Sequence, residues 1–145
     1  MGDLSKNFSV KEFFVGESEF DITGERIERI VSRLVVPILQ PMRDELGVPI
    51  YITSGFRSPD YNAQVGGAAN SHHLMQADRS AVDFFTKKID EAWSWLKSAS
   101  GLYCYSYWDK EKFFIHLSGL TGTDIRVGKM WIKESVLPIS TERRI

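Results

Sequence analysis

The longest regular pattern of apolar positions lies between residues 25 and 46, where apolar side chains recur every three or four residues. This spacing predicts an amphipathic helix with one stripe facing a core. The stripe consists of Ile27, Ile30, Val31, Leu34, Val35, Ile38, Leu39 and Met42. Pro37 and Pro41 each remove a backbone donor, so we expect a kink or two consecutive helices rather than one straight rod. Gly47 is placed to end the segment as its C-cap.

An aromatic segment precedes this helix. Phe8, Phe13 and Phe14 are spaced so that they can pin an N-terminal arm to a core. Ser9, followed three residues later by Glu12, resembles a capping box, in which the two residues satisfy each other's backbone donors. The arm is therefore expected to be ordered.

Segments rich in β-branched and aromatic residues mark the predicted strands. In chain order they are VPIYITSG, SAVDFFT, YCYSYW, KFFIHLS and GKMWIKE, and the third and fourth would form a hairpin around the polar turn DKEK. Shorter helices are predicted at residues 59–65 and in IDEAWSWLKSAS. This order predicts an α+β fold: a single compact domain over residues 1–145, with a small antiparallel sheet and N-terminal helices packed on it.

Composition and charge exclude several classes of function. The 145 residues are 43% hydrophobic and 26% charged, with a net charge of -1 and no long basic run, so no nucleic-acid partner is expected. No stretch is long and apolar enough to span a bilayer, which argues against membrane insertion. The single cysteine, Cys104, leaves no internal disulfide. The N-terminus lacks the basic and apolar regions of a signal peptide, so synthesis in the cytoplasm is expected.

The candidate chemistry lies in NSHHLMQADRSAVDF, residues 70–84, and in KFFIHLSG, which carries the third histidine. One sheet could bring together a loop histidine, a carboxylate on the following strand and a histidine on a later strand. A catalytic zinc site needs about three such ligands and an open fourth position. The plainer interpretation is a set of hydrogen-bonded or solvated polar residues, and the spacing alone leaves both open.

These motifs resemble the zinc D-Ala-D-Ala carboxypeptidase and peptidoglycan-endopeptidase family, particularly its phage and prophage members. The matching elements are Ser54-Gly55-Phe56-Arg57-Ser58-Pro59, Asn62, Gly66-Gly67, Ser71-His72-His73, Ala81-Val82-Asp83 and Phe114-Ile115-His116-Leu117-Ser118. NFSVKEF and PILQPMRDELGVPI also resemble the family's opening, so the resemblance is strongest over residues 7–118. It implies a fold of the hedgehog and D-Ala-D-Ala peptidase type.

The resemblance implies a Zn²⁺ ion held by His73, Asp83 and His116. The Ser-x-His register selects His73 over His72. The family places its aspartate seven residues after the first histidine, with a glycine between them, whereas Ser80 stands at that position here. We interpret the difference as a three-residue insertion that moves the ligand to Asp83, with Asp78 as the alternative ligand.

A zinc peptidase also needs a carboxylate that takes a proton from water and passes it to the leaving amine. Aligning YCYSYWD with the corresponding family strand gives this role to Asp109, with Glu111 as the alternative. Phe113, three residues before the last histidine, cannot serve. Arg57 and Ser71 are expected to contact the substrate, Arg57 through a carboxylate or the oxyanion. The other interpretation of Arg57 is an ion pair that braces its loop.

The resemblance therefore implies a zinc-dependent peptidase that hydrolyses amide bonds in bacterial peptidoglycan stem peptides, as a carboxypeptidase or an endopeptidase. It would act on the cell wall as a monomer. If the source is a phage or prophage, the lack of a signal peptide fits an endolysin released through a holin-type pore or a peptidase carried in the virion. The alternative is a catalytically inactive cell-wall-binding or structural module on the same fold, which the altered His73-to-Asp83 spacing and the open choice of base keep open.

Overall fold

The computed structural model describes residues 2–67, 69, 71–76, 80–98, 104–119, 130–134 and 141–144. Six strands form one sheet in the order β1-β2-β4-β3-β5-β6. They are β1 Ile50–Ser54, β2 Ser80–Thr86, β3 Cys104–Asp109, β4 Phe114–Gly119, β5 Met130–Glu134 and β6 Thr141–Arg144. The first four strands pair antiparallel with one another, as predicted, while β5 pairs parallel to β3 and antiparallel to β6. The α+β fold is thus confirmed.

The helices occur along the chain in the order that the sequence predicts. They are α1 Gly24–Ile30, α2 Gln40–Leu46, α3 Pro59–Gln64 and α4 Ile89–Ser98, with a π-helix Val31–Leu39 between α1 and α2. Short 3₁₀ turns occupy Val10–Phe13, Glu19–Asp21 and His72–Leu74. No helix in the described part of the chain is long and apolar enough to cross a membrane.

The chain stays helical through Pro37, where the two prolines predict a kink or two helices. Three consecutive helical segments are found instead, and the backbone N–H of Gln40 bonds to the carbonyl of Val35, five residues earlier. The wider π turn accommodates a proline that would disturb regular α-helical bonding. Gly47 ends α2 in the left-handed conformation, with φ of 69°, and its N–H bonds to the carbonyl of Arg43.

The core lies between the helices and one face of the sheet. Six of the eight predicted stripe residues are buried, while Ile27 and Val31 are half-buried. The N-terminal arm closes this core with Phe8, Phe13 and Phe14, all three of which are buried. The Glu12 carboxylate accepts a hydrogen bond of 2.7 Å from the backbone N–H of Ser9, so the predicted capping box is present.

The two faces of the antiparallel sheet carry different chemistry. Val82, Phe84, Ile115 and Leu117 are fully buried in the hydrophobic core, and the π-helix packs against their strands. Side chains alternate along a strand, so the residues between them point to the opposite face. Asp83 in β2 and His116 in β4 are direct partners across the sheet. The strand register therefore places them side by side on the face away from the π-helix.

Candidate metal centre

The ring nitrogens of two histidines and one carboxylate oxygen meet at a single buried point. His73 Nε2 lies 3.2 Å from Asp83 Oδ1 and 3.3 Å from His116 Nδ1, and the third side of this triangle, from His116 Nδ1 to Asp83 Oδ1, is 2.8 Å. A tetrahedral Zn²⁺ ion with nitrogen and oxygen ligands at its usual bond lengths separates those ligand atoms by about 3.3 Å. The triangle fits such an ion, and these residues could hold a metal.

The hydrogen bonds behind the two imidazoles suit metal ligands. His73 Nδ1 lies 2.8 Å from the carbonyl oxygen of Gly55, which can only accept, so Nδ1 carries the hydrogen and Nε2 presents a lone pair to the cluster. His116 Nε2 lies 2.8 Å from the Ser118 hydroxyl, which can accept its hydrogen and leave Nδ1 free to bind. Such supporting partners orient metal-binding histidines and fix their tautomers.

The backbone around His73 explains why this histidine, rather than its neighbour, reaches the cluster. The Ser71 hydroxyl accepts a hydrogen bond from the His73 N–H and caps the 3₁₀ turn. The Arg57 N–H donates to the His73 carbonyl at 2.8 Å, while Gly55 holds the ring. The segment after β1 therefore holds His73 by two hydrogen bonds, one to its ring and one to its backbone carbonyl. His72 lies outside the three-residue cluster.

The protonation states of the cluster suit metal binding. Burial raises the pKa of Asp83, but its hydrogen bonds to His116 and His73 and the charges of both rings outweigh this, so the net pKa lies well below its usual range. Burial lowers the pKa of His116, and the opposing hydrogen bond and charge of Asp83 only partly offset this. The carboxylate is therefore ionised and the imidazole neutral near pH 7, the forms that bind a metal.

Arg57 adds a positive charge beside this cluster. Its Nη2 lies 3.6 Å from Asp83 Oδ2, while Oδ1 is the oxygen that bonds to the two histidines. Its Nε donates to the Ser54 hydroxyl at 3.3 Å and its Nη1 to the Asn62 side-chain oxygen at 3.4 Å. The ion pair considered from the sequence thus exists, and its partner is a member of the cluster itself.

Sequence reasoning missed Tyr107, which packs directly on the cluster. Its ring stacks on that of His116, with centroids 4.7 Å apart and planes inclined by 14°. Burial and the negative charges of Asp83 and Asp109 raise the pKa of Tyr107 to about 12, against the opposing effect of Arg57, so the phenol stays neutral. The available signal was the alternation in YCYSYWD, which puts Tyr107 on the same face as Asp109.

Asp109 stands at the end of β3 and is half-buried, whereas Glu111 is exposed in the turn that follows. Asp109 pairs with Phe114, which lies two residues before His116 on the same face of the sheet. Asp109 Oδ1 accepts a hydrogen bond of 2.9 Å from the Lys112 N–H, which fixes the carboxylate at the rim of this face. Asp78, the alternative ligand, lies outside the described residues.

Gly55 is required by a close approach of the backbone. A Cβ atom at this position would collide with the backbone of Phe13, whose carbonyl accepts the N–H of Phe56. Gly55→Ala is therefore expected to destabilise the fold by about 1–3 kcal/mol and to weaken zinc binding, because the carbonyl that orients His73 must move. Urea denaturation and zinc titration measure the two effects.

Gly24→Ala is the matched control for this substitution. A Cβ atom at Gly24 meets nothing within 4 Å, and the residue begins α1. Stability and zinc affinity are expected to stay at the wild-type values in Gly24→Ala. Wild-type zinc affinity in Gly55→Ala would contradict the role given to the Gly55 carbonyl.

Two buried imidazoles and an ionised carboxylate, gathered on the face of the sheet away from the π-helix, form a site of the kind found in catalytic zinc centres. The chain belongs to the peptidase M15 family, whose model matches residues 6–118 and so includes every member of the cluster. Peptidases of this family are zinc-dependent, which assigns the chain to the metallopeptidases. The family resemblance seen in the sequence is confirmed. Among curated proteins, none matches this sequence.

Proposed function

We propose that the protein is a zinc-dependent peptidase that hydrolyses amide bonds in peptidoglycan stem peptides. The observation that carries this proposal is the triangle of His73 Nε2, Asp83 Oδ1 and His116 Nδ1, with sides of 2.8–3.3 Å, in a member of the peptidase M15 family. When bound, zinc would supply a Lewis acid that activates water and polarises the scissile carbonyl.

In this proposal, Asp109 carries out the proton transfers of hydrolysis. Its carboxylate takes the proton of the attacking water and later delivers it to the leaving amine. Asp109 pairs with Phe114, two residues along β3 and β4 from the pair of Tyr107 and His116, so the Asp109 Cα is about 8 Å from that of His116. The Asp109 side chain would reach a peptide bond held beside His116, either directly or through one bridging water.

Arg57 and Ser71 are assigned to the substrate. The Arg57 guanidinium is 17% exposed and lies beside Asp83, where it can pair with a peptide carboxylate or with the oxyanion that forms during hydrolysis. Its bonds to Ser54 and Asn62 hold it in place before the substrate arrives. Ser71 lies two residues before His73 and caps the 3₁₀ turn that carries this ligand.

The alternative, an inactive cell-wall-binding or structural module, has two grounds: the longer segment between His73 and Asp83 and the open choice of base. Despite this segment, the three ligand atoms converge with the spacing that zinc needs, which favours the enzyme. We further propose that the protein acts on the cell wall through phage lysis or virion delivery. The charge of -1 fits a substrate other than nucleic acid.

Removal of the metal tests the proposed function. Stripping the protein with a chelator is expected to reduce the release of dye from labelled peptidoglycan to the level without enzyme, because water is no longer activated. Adding one equivalent of Zn²⁺ should restore the rate, whereas Mg²⁺, which prefers six oxygen ligands, should not. Dye release that is insensitive to the chelator, or absent after zinc loading, would contradict the proposal.

A further inference from the structure

A row of aromatic side chains crosses the sheet beside the metal cluster. Tyr51 in β1 is the cross-strand partner of Phe85 in β2, and their rings lie 6.5 Å apart with planes inclined by 20°. Phe114 in β4 continues the row. Phe84 is opposite Ile115 in the antiparallel pair of β2 and β4, so one residue further along the strands Phe85 lies opposite Phe114. These three residues are called the aromatic row below.

The aromatic row lies on the same face as the metal cluster and remains accessible. Phe85 is two residues from Asp83, and Phe114 is two residues from His116, so alternation points all four side chains to one side. Tyr51 is 49% exposed, and Phe85 and Phe114 are half-buried. The row runs parallel to the line of Asp83 and His116 at about 7 Å, the length of two strand residues.

The two ends of the aromatic row carry polar groups. At one end, Phe114 pairs with Asp109, the proposed proton carrier. At the other end, Tyr51 borders a cavity of about 220 Å³ whose lining includes Asn7, Glu12 and Arg43. Flat rings next to hydrogen-bonding groups match the surface of a sugar, which has apolar C–H faces and a polar edge.

We propose that the aromatic row binds a sugar ring of the peptidoglycan glycan strand, so that the enzyme prefers stem peptides still attached to glycan. This inference rests on the proposed function and adds the substrate class of the same site. The ring face would lie over Tyr51 and Phe85, and the polar substituents of the sugar would reach the cavity.

The distance between Tyr51 and the metal cluster favours a sugar, rather than a peptide side chain, as the group that binds at Tyr51. Tyr51 is two strands from His116 and one strand from Asp83, and in each case two residues along, so its Cα lies about 12 Å and about 8 Å from theirs. These distances correspond to roughly two to four residues of extended peptide, the scale of the short stem peptide that joins the sugar to its terminal amides. A peptide anchored by its sugar on Tyr51 therefore brings a distal amide to the metal.

The test compares two substrates, a disaccharide-linked stem peptide and the same peptide without sugar, using the zinc-loaded protein. The wild type is expected to show a kcat/KM about tenfold higher for the linked peptide, the scale of one aromatic contact plus its buried area. Tyr51→Thr, which removes the ring and keeps a strand-forming residue, should bring this ratio close to one. Tyr51→Phe should retain most of the ratio. Val36→Ala, which removes an exposed apolar side chain from the helix behind the sheet, should leave it unchanged.

A binding measurement on zinc-free protein completes the test. Calorimetric titration with the disaccharide alone should show binding that weakens about tenfold in Tyr51→Thr. Equal hydrolysis of both substrates, or disaccharide binding that is unchanged in Tyr51→Thr, would overturn the inference and leave the proposed function intact. If neither substrate is hydrolysed by the zinc-loaded wild type, the proposed function itself fails, and this inference fails with it.

Discussion

Replacing His73 with alanine is expected to abolish zinc binding and peptidoglycan hydrolysis together. The ligand triangle supplies three protein atoms, and the loss of His73 Nε2 leaves only two. Removal of a supporting partner alone costs 10- to 100-fold in metal affinity, so removal of a ligand should weaken zinc binding by more than about 100-fold. Zinc content by mass spectrometry and dye release from the same samples measure both effects.

His72→Ala is the matched control, because it removes the same side chain from the neighbouring position of the same 3₁₀ turn. One zinc per chain and a rate near that of the wild type are expected. The opposite pattern, with zinc retained in His73→Ala and lost in His72→Ala, would contradict the ligand assignment. Loss of zinc in Asp78→Asn with retention in Asp83→Asn would move the carboxylate ligand to Asp78.

Asp109→Asn is expected to give the second largest effect, a fall in kcat of about 10²- to 10⁴-fold with zinc still bound. Asparagine keeps the size of the side chain and an oxygen that can accept the Lys112 N–H, but it cannot take a proton from water. Single-turnover hydrolysis of a defined stem peptide separates this loss from any change in substrate binding.

Glu111→Gln is the control for this prediction, since Glu111 is the alternative base and lies exposed in the next turn. Its rate is expected to equal that of the wild type. A large loss of kcat in Glu111→Gln beside a normal rate in Asp109→Asn would reverse the assignment. Wild-type rates in both variants would assign the proton transfers to another residue.

Local sequence patterns predicted the strand β2 and the buried face of the long helical segment, because both depend on residues close together in the chain. The β-branched and aromatic residues of SAVDFFT predicted the bounds of β2, and the three- and four-residue spacing predicted the buried stripe of the long helix. The π-helix around Pro37 was not predicted, because the choice between breaking and widening a helix depends on its packing. The strand β6 was also missed, since Thr141–Arg144 is polar and its pairing with β5 is set by a distant partner.

The candidate site was predictable where its motifs are long and ordered. The family motifs, with a three-residue insertion before Asp83, selected His73, Asp83 and His116, and the structure brings these three together. The stacking of Tyr107 on His116 could not be predicted in the same way, because it depends on the register between β3 and β4. The ion pair of Arg57 with Asp83 likewise needs the fold, since 26 positions separate two residues that meet only when β1 pairs with β2.

The most direct test of the central claim is mass spectrometry of purified stem peptides after incubation with the zinc-loaded protein. The account predicts the gain of one water at a single amide bond, which also identifies the enzyme as a carboxypeptidase or an endopeptidase. The same products should be absent with His73→Ala and present with His72→Ala. Stem peptides that keep their original masses with fully zinc-loaded wild-type protein would contradict the account and favour an inactive module on a peptidase fold.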